Sequence, residues 1–142
     1  MKYSSLVSAI QYYGYPFPNH FGKWWLHARL RKVFKITINE DMVVERGGLR
    51  WILNPSDYVQ SELFWLGLRD RWNSYHVKNI IKPANTILDI GANFGYYSII
   101  CASSLKGNCR VYAFEPNSPS FNRLKKNIEL NSLEGSVTAA CV

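Results

Sequence analysis

Thr86-Ile-Leu-Asp-Ile-Gly-Ala-Asn-Phe-Gly-Tyr-Tyr-Ser98 decides the fold of this chain. Its opening is a short apolar run rich in β-branched residues, interrupted by Asp89, and it reads as a strand. A glycine turn follows and opens onto Tyr96, Tyr97, Ser98, Ile99 and Ile100, which read as the first turns of a helix. Gly91 and Gly95 suit backbone conformations or close approaches that a Cβ would obstruct. The first N–H groups of the helix have no partner within the helix, so they point at whatever sits above the strand. A nucleotide-like ligand fits that arrangement.

Twenty-six residues after Asp89, a second apolar run, Val111-Tyr-Ala-Phe114, ends in Glu115 and Pro116. In a doubly wound sheet this acid stands at the carboxyl end of the neighbouring parallel strand, where it can accept hydrogen bonds from ribose hydroxyls. The turn is Gly-x-x-x-Gly preceded by an acid, which departs from the Gly-x-Gly-x-x-Gly of nicotinamide-binding folds. A nicotinamide-dependent oxidoreductase domain is therefore the disfavoured alternative.

The combination resembles the first motif of S-adenosylmethionine-dependent methyltransferases. More narrowly, three stretches in order resemble FkbM-type methyltransferases: residues 88–98, then Val111-Tyr-Ala-Phe-Glu-Pro-Asn117, then Asn127-Ile-Glu-Leu-Asn131. Where that family often has Gly-x-Tyr-Glu, this chain has Gly67-Leu-Arg-Asp70. The resemblance implies a Rossmann-like class I methyltransferase fold, α/β with a parallel sheet and flanking helices. Only the first three strands are expected here, after a helical segment and a β-hairpin, so the chain is expected to be the N-terminal part of an enzyme and inactive alone. S-adenosylmethionine is the implied cofactor. Gly91, Ala92, Asn93 and Gly95 would meet its amino-acid end, Asp89 would orient the loop, Glu115 would hold the ribose, and Asn117 would lie on the adenine side. The implied reaction is transfer of the methyl group to a hydroxyl of a sugar or natural product. No residue of this chain is assigned as the general base.

Around these motifs the organisation is sequential, with segments expected at 1–35, 36–82 and 83–142. Pro16 and Pro18 separate two short helices in the first segment. Alternation suggests strand character at 34–38 and from Met42, and Gly47-Gly48 between two β-like runs signals a hairpin. Ser56 or Asp57 can cap a helix running toward Gly67, and a further helical segment starts near Asp70. After the glycine turn, Gly107 is the expected helix C-cap. Ser118 before Pro119 suggests an N-cap, and Phe121, Leu124 and Ile128 share one face of a helix that Gly135 ends. A third strand follows from Val137. Strand, helix, strand, helix, strand with short loops means a parallel sheet with right-handed crossovers. Asn127 and Asn131 are expected to serve the helix end. Tyr96 and Tyr97 are expected in the core.

With 142 residues and 47% hydrophobic content, the chain has material for a core and is not disordered. Its three cysteines, Cys101, Cys109 and Cys141, have no paired spacing, so reduced thiols and a cytoplasmic setting are expected. His20, His27 and His76 are scattered, and no metal is expected. The first ten residues lack a continuous apolar stretch with a cleavage site, so no signal peptide is expected. The uncharged stretch 90–105 contains glycines, Asn93 and serines and is too short to span a bilayer.

The net charge of +7 is concentrated at the start, because Lys2, Lys23, Arg29, Arg31, Lys32 and Lys35 all precede the first acid, Glu40. Aromatics crowd the same segment: Tyr12, Tyr13, Tyr15, Phe17, Phe21, Trp24 and Trp25. Three readings stay open for it. The aromatics can pack on the domain while the cations are solvated, the segment can lie on an anionic membrane as a peripheral contact, or it can bind nucleic acid. No nucleic-acid motif accompanies it, so nucleic acid is not expected as the partner, and a small-molecule or glycan hydroxyl acceptor is. A non-catalytic, decayed methyltransferase serving as a binding or membrane-associated module is the second alternative.

Overall fold

The computed structural model describes residues 5–14, 22–33, 38–67, 71–81, 86–106 and 108–142. Eleven elements follow in order: α1 (Ser5–Gly14), α2 (Lys23–Val33), β1 (Met42–Arg46), β2 (Leu49–Leu53), α3 (Tyr58–Leu66), α4 (Arg71–Ile80), β3 (Thr86–Ile90), α5 (Tyr96–Ser104), β4 (Arg110–Phe114), α6 (Ser118–Leu130) and β5 (Val137–Ala140). They divide into two compact units, 1–48 with 53–69, and 49–52 with 70–142.

In the first unit, α3 has both ends encoded locally. Asp57 is its N-cap, its side chain accepting from the amides of Val59 and Gln60, and Gly67 closes it in the left-handed conformation at φ 67°. Leu63, Phe64 and Trp65 on α3 are buried, and the Trp65 ring lies 5.2 Å from that of His27 on α2. Gly47 and Gly48 have φ of 62° and 75°. Two successive positive values are what a tight type I′ turn requires, and β1 and β2 form the expected two-stranded sheet around it. The strand expected at 34–38 falls at 34–37 outside the described residues, and Ile38 is in no strand.

The second unit is the three-stranded parallel sheet in the order β3-β4-β5. Asp89 stands opposite Ala113, and Val111 opposite Val137. The core gathers Phe94, Ile99, Cys101, Val111, Ala113, Leu124 and Ile128, all buried. The expected Rossmann-like α/β unit with parallel strands and crossover helices is present. Two helix ends differ from expectation. Asn117, not Ser118, is the N-cap of α6, because its side chain accepts from the Ser120 amide at 3.0 Å. That helix ends at Leu130 without glycine: Asn131 and Leu133 both donate their amides to the Ile128 carbonyl, and Ser132 takes the left-handed position at φ 54°. The expected cap Gly107 lies outside the described residues, and α5 ends at Ser104 with Leu105 as its C-cap.

Among the described residues β3 is an edge strand of this sheet, and Leu88 and Ile90 on it are 64% and 75% exposed. An apolar strand edge is a template for pairing with another chain. The 142-residue chain is expected to self-associate in light scattering, and Leu88→Lys with Ile90→Lys is expected to shift it toward monomer. Unchanged particle size in that double variant would remove β3 as the sticky edge.

Among the described residues no helix is long and apolar enough to cross a membrane.

Candidate functional site

Parallel pairing brings the carboxyl ends of β3 and β4 together, and the glycine turn grows from that end. The amides of Gly91 and Ala92 both donate to the Phe114 carbonyl, at 2.9 and 3.0 Å, so the turn is pinned to the last residue of β4. The amide of Gly95 donates back to Ala92 at 2.8 Å. Three of the five turn residues have positive φ: Gly91 at 77°, Asn93 at 52° and Gly95 at 91°. Asparagine tolerates that region better than most non-glycine residues.

The two glycines serve different ends. A Cβ on Gly91 would meet nothing within 4 Å, whereas one on Gly95 would stand 2.5 Å from Leu124 Cδ1. Gly91 therefore faces open space above the strand, and Gly95 lets α6 approach the turn. Ala92 and Phe94, between them, are buried.

Glu115 follows β4 directly and is buried, 7% exposed. One carboxylate oxygen accepts the Asn93 amide at 2.7 Å and the other accepts the Asn117 amide at 2.9 Å. A carboxylate has about four acceptor positions, so two remain beyond these bonds. Glu115 thus ties the glycine turn to the start of α6 and keeps capacity for a hydroxyl pair. Asn117 has its side chain engaged as the α6 cap and stands exposed beside it.

Asp89 does the work of a helix cap from a neighbouring strand. Its Oδ2 accepts both the Ser98 amide at 3.0 Å and the Ser98 hydroxyl at 2.6 Å. The amide belongs to the first turn of α5, where a negative charge also meets the positive end of the helix dipole. Ser98 is fully buried. The strand acid thereby sets the direction in which α5 leaves the turn, and Ser98 is a partner that sequence reading did not single out.

Asp89 also bears on Cys101. Burial first, then the Asp89 carboxylate and Cys109, push the Cys101 thiol up to about 11. Burial likewise raises Cys109, while Cys141 is exposed. Alkylation at pH 8 is expected to label Cys141 in the folded chain and to reach Cys101 and Cys109 only on unfolding, because the thiolate is the reactive form. The folded state also holds the Cys101 proton that the unfolded chain releases. That contribution is intact below pH 9 and is lost as pH rises toward about 11, so alkaline loss of stability should be smaller in Cys101→Ala.

The structure brings Asp89, Gly91, Ala92, Asn93, Gly95, Glu115 and Asn117 to one end of the sheet. A groove of about 200 Å³ lined by Phe121, Lys125, Ile128 and Val137, among others, contains none of them. Among the described residues no three His, Cys, Asp or Glu side chains gather as a metal site would require.

Known proteins with this architecture carry it as part of longer chains. The structure is similar to the tRNA m1G37 methyltransferase of M. jannaschii, with a TM-score of 0.56 and 22% identity over 73% of this chain and 30% of that one. It is similar also to M. jannaschii TYW2 crystallised with AdoMet, with a TM-score of 0.61 and 21% identity over 75% of this chain and 45% of that one. A stretch of 76 residues, 54% of the chain, is 36% identical to the AMB antimetabolite synthetase AmbE of Pseudomonas aeruginosa, of which it covers 3%. The chain spans less than half the length of each of these proteins.

These findings narrow one expectation and correct another. The resemblance to FkbM-type enzymes is supported at the level of the S-adenosylmethionine-dependent methyltransferase superfamily and not in its narrower form. Setting nucleic acid aside as a partner is overturned, since a protein of the same fold is a tRNA methyltransferase. The family model that matches residues 61–141, and so takes in the turn, Glu115 and α6 together, is the TRM5/TYW2 methyltransferase domain, and the chain belongs to that family.

Proposed function

We propose that this chain is the cofactor-binding part of an S-adenosylmethionine-dependent methyltransferase. The observation that carries the reading is the buried Glu115 carboxylate at the end of β4, tied through the Asn93 amide to a glycine turn whose Gly91 faces open space. Bound S-adenosylmethionine supplies an electrophilic methyl group on a sulfonium. In this chain, the open acceptor positions of Glu115 take the ribose hydroxyls, and charge-assisted hydrogen bonds are the strong kind. The backbone at Gly91, Ala92 and Asn93 approaches the amino-acid end without a side chain in the way. Asp89 fixes the start of α5, so the turn keeps one shape. Rate enhancement then comes mostly from alignment of acceptor and methyl group.

The acceptor we infer is a nucleic acid. Family membership supports this, and so does the exposed surface of α2. There Trp25, Arg29 and Lys32 are all exposed, and the Arg29 guanidinium lies 5.3 Å from the Trp25 ring centre. Cations spaced about one helical turn apart suit successive phosphates, and an exposed indole suits an unpaired base. A sugar or natural-product hydroxyl is the rival acceptor, which the test separates from nucleic acid.

The test is transfer of a labelled methyl group from S-adenosylmethionine by the protein as its gene encodes it. Total transfer RNA and a set of small hydroxyl compounds are offered in parallel. Label in RNA is expected. Label only in the small compounds would overturn the nucleic-acid acceptor.

A further inference from the structure

Asn127 is fully buried on α6, and each of its amide atoms is used. Its Oδ1 accepts the Ile52 amide at 2.6 Å, and its Nδ2 donates to the Phe94 carbonyl at 2.9 Å and to the Ile52 carbonyl at 3.4 Å. These partners fix the amide orientation, because a flip would set the NH2 against the Ile52 N–H and the oxygen against the Phe94 carbonyl. One turn later, Asn131 accepts the Arg50 amide at 2.9 Å and donates to the Arg50 carbonyl at 2.7 Å. Residues 50 and 52 present their backbone groups along one edge of β2, and two asparagines four apart, Asn127 on α6 and its C-cap Asn131, stand in for a neighbouring strand.

Among the described residues the Asn131 side chain makes that clamp and a bond to the Asn127 carbonyl at 2.8 Å. Asn127 has an additional arm, which reaches the carbonyl of Phe94 inside the glycine turn. The Phe94 ring is buried in a T-shaped contact, 6.0 Å from Trp51 on β2. The turn is therefore held at both ends: Phe114 and Glu115 anchor 91–93, and Asn127 anchors 94.

We propose that Asn127 is a positioning residue for the 91–95 turn, coupling its shape to strand β2, so that cofactor affinity depends on Asn127 and not on Asn131. The affinity part rests on the cofactor reading above. The positioning part does not, and the experiment separates them.

Asn127→Asp keeps the acceptor for Ile52 and replaces the donor to Phe94 with a carboxylate oxygen; Asn131→Ala removes a clamp and leaves the turn untouched. Amide hydrogen exchange is followed at Asn93 and Gly95, whose N–H groups are bonded within this site, together with the dissociation constant for S-adenosylhomocysteine. Exchange at both amides should accelerate about tenfold or more in Asn127→Asp and stay near the wild-type rate in Asn131→Ala. The dissociation constant should rise about tenfold in the first variant only. Should Asn127→Asp fail to fold, Asn127→Ser, whose shorter side chain cannot span both partners, is read in the same way. Wild-type protection at Asn93 and Gly95 in the Asn127 variant, or equal acceleration in Asn131→Ala, would overturn the proposal. Wild-type protein that binds no S-adenosylhomocysteine would instead sink the cofactor reading, with the exchange data still deciding the role of Asn127.

Discussion

Glu115→Ala is expected to weaken binding of S-adenosylhomocysteine by roughly tenfold to a thousandfold, the equivalent of one or two hydrogen bonds to a charged acceptor. The substitution acts twice. It removes the acceptor for ribose hydroxyls, and it strips the Asn93 and Asn117 amides of their partner, loosening the turn and the start of α6. The second effect should cost about 3–6 kcal/mol of stability, since two hydrogen bonds to a charged group are lost and each is worth about 1.5–3 kcal/mol. Glu115→Gln separates the two effects. It retains one acceptor oxygen but points an NH2 at one of the two amides, so melting should fall partway while affinity falls nearly as far. Calorimetric titration beside thermal melting reads both, and an unchanged dissociation constant in Glu115→Ala would remove this residue from the site.

The two glycines of the turn should fail in opposite ways. Gly91→Val puts a side chain into open space at φ 77°, so the fold bears only backbone strain of about 1–3 kcal/mol while ligand binding is lost. Gly95→Val meets the same kind of strain at φ 91° and also drives into Leu124 and Ile99, both fully buried. Overpacking of that sort costs about 1–3 kcal/mol or more on top. Gly95→Val should therefore melt well below Gly91→Val, and Gly91→Val should stay folded without binding. A Gly91→Val protein that binds normally would show that the ligand does not approach the turn from that side.

The contrast explains what was legible from residues alone. Both glycines stand out in the sequence, but their division of labour depends on Leu124, which arrives from a helix nearly thirty positions on. Signals that act locally are readable: the Gly47-Gly48 turn, a cap at Ser56 or Asp57 that the structure places at Asp57, Gly67 at the end of α3, and the acid that closes β4. The N-cap of α6 was read one residue late, because Asn117 and Ser118 are both good caps and only the bond from Asn117 to the Ser120 amide distinguishes them. Gly135 is the glycine that the sequence offers as the end of α6, but Asn131 and Ser132 fill that role, since Ser132 adopts a conformation usually left to glycine or asparagine.

The sequence alone suggests that Asn127 and Asn131 serve the helix end. Only Asn131 lies there, and the main partners of both are backbone groups of β2, 75 and 81 residues earlier. No local pattern announces such a bond. Asp89 is an intermediate case: an acid in a strand before a glycine turn is visible, and the resemblance implies that it orients the loop, but its capping partner Ser98 requires the geometry. The basic opening segment shows the opposite limit. Its charge is plain, yet charge alone does not choose among solvated surface, membrane and nucleic acid, and the family match, at residues 61–141, does not reach it.

The central claim is that the turn and Glu115 form a site for S-adenosylmethionine. Its most direct test is a calorimetric titration of the purified chain with S-adenosylhomocysteine and, separately, with NAD. Saturable heat with S-adenosylhomocysteine that disappears in Gly91→Val, and none with NAD, is the predicted result. Binding of NAD alone would contradict the account.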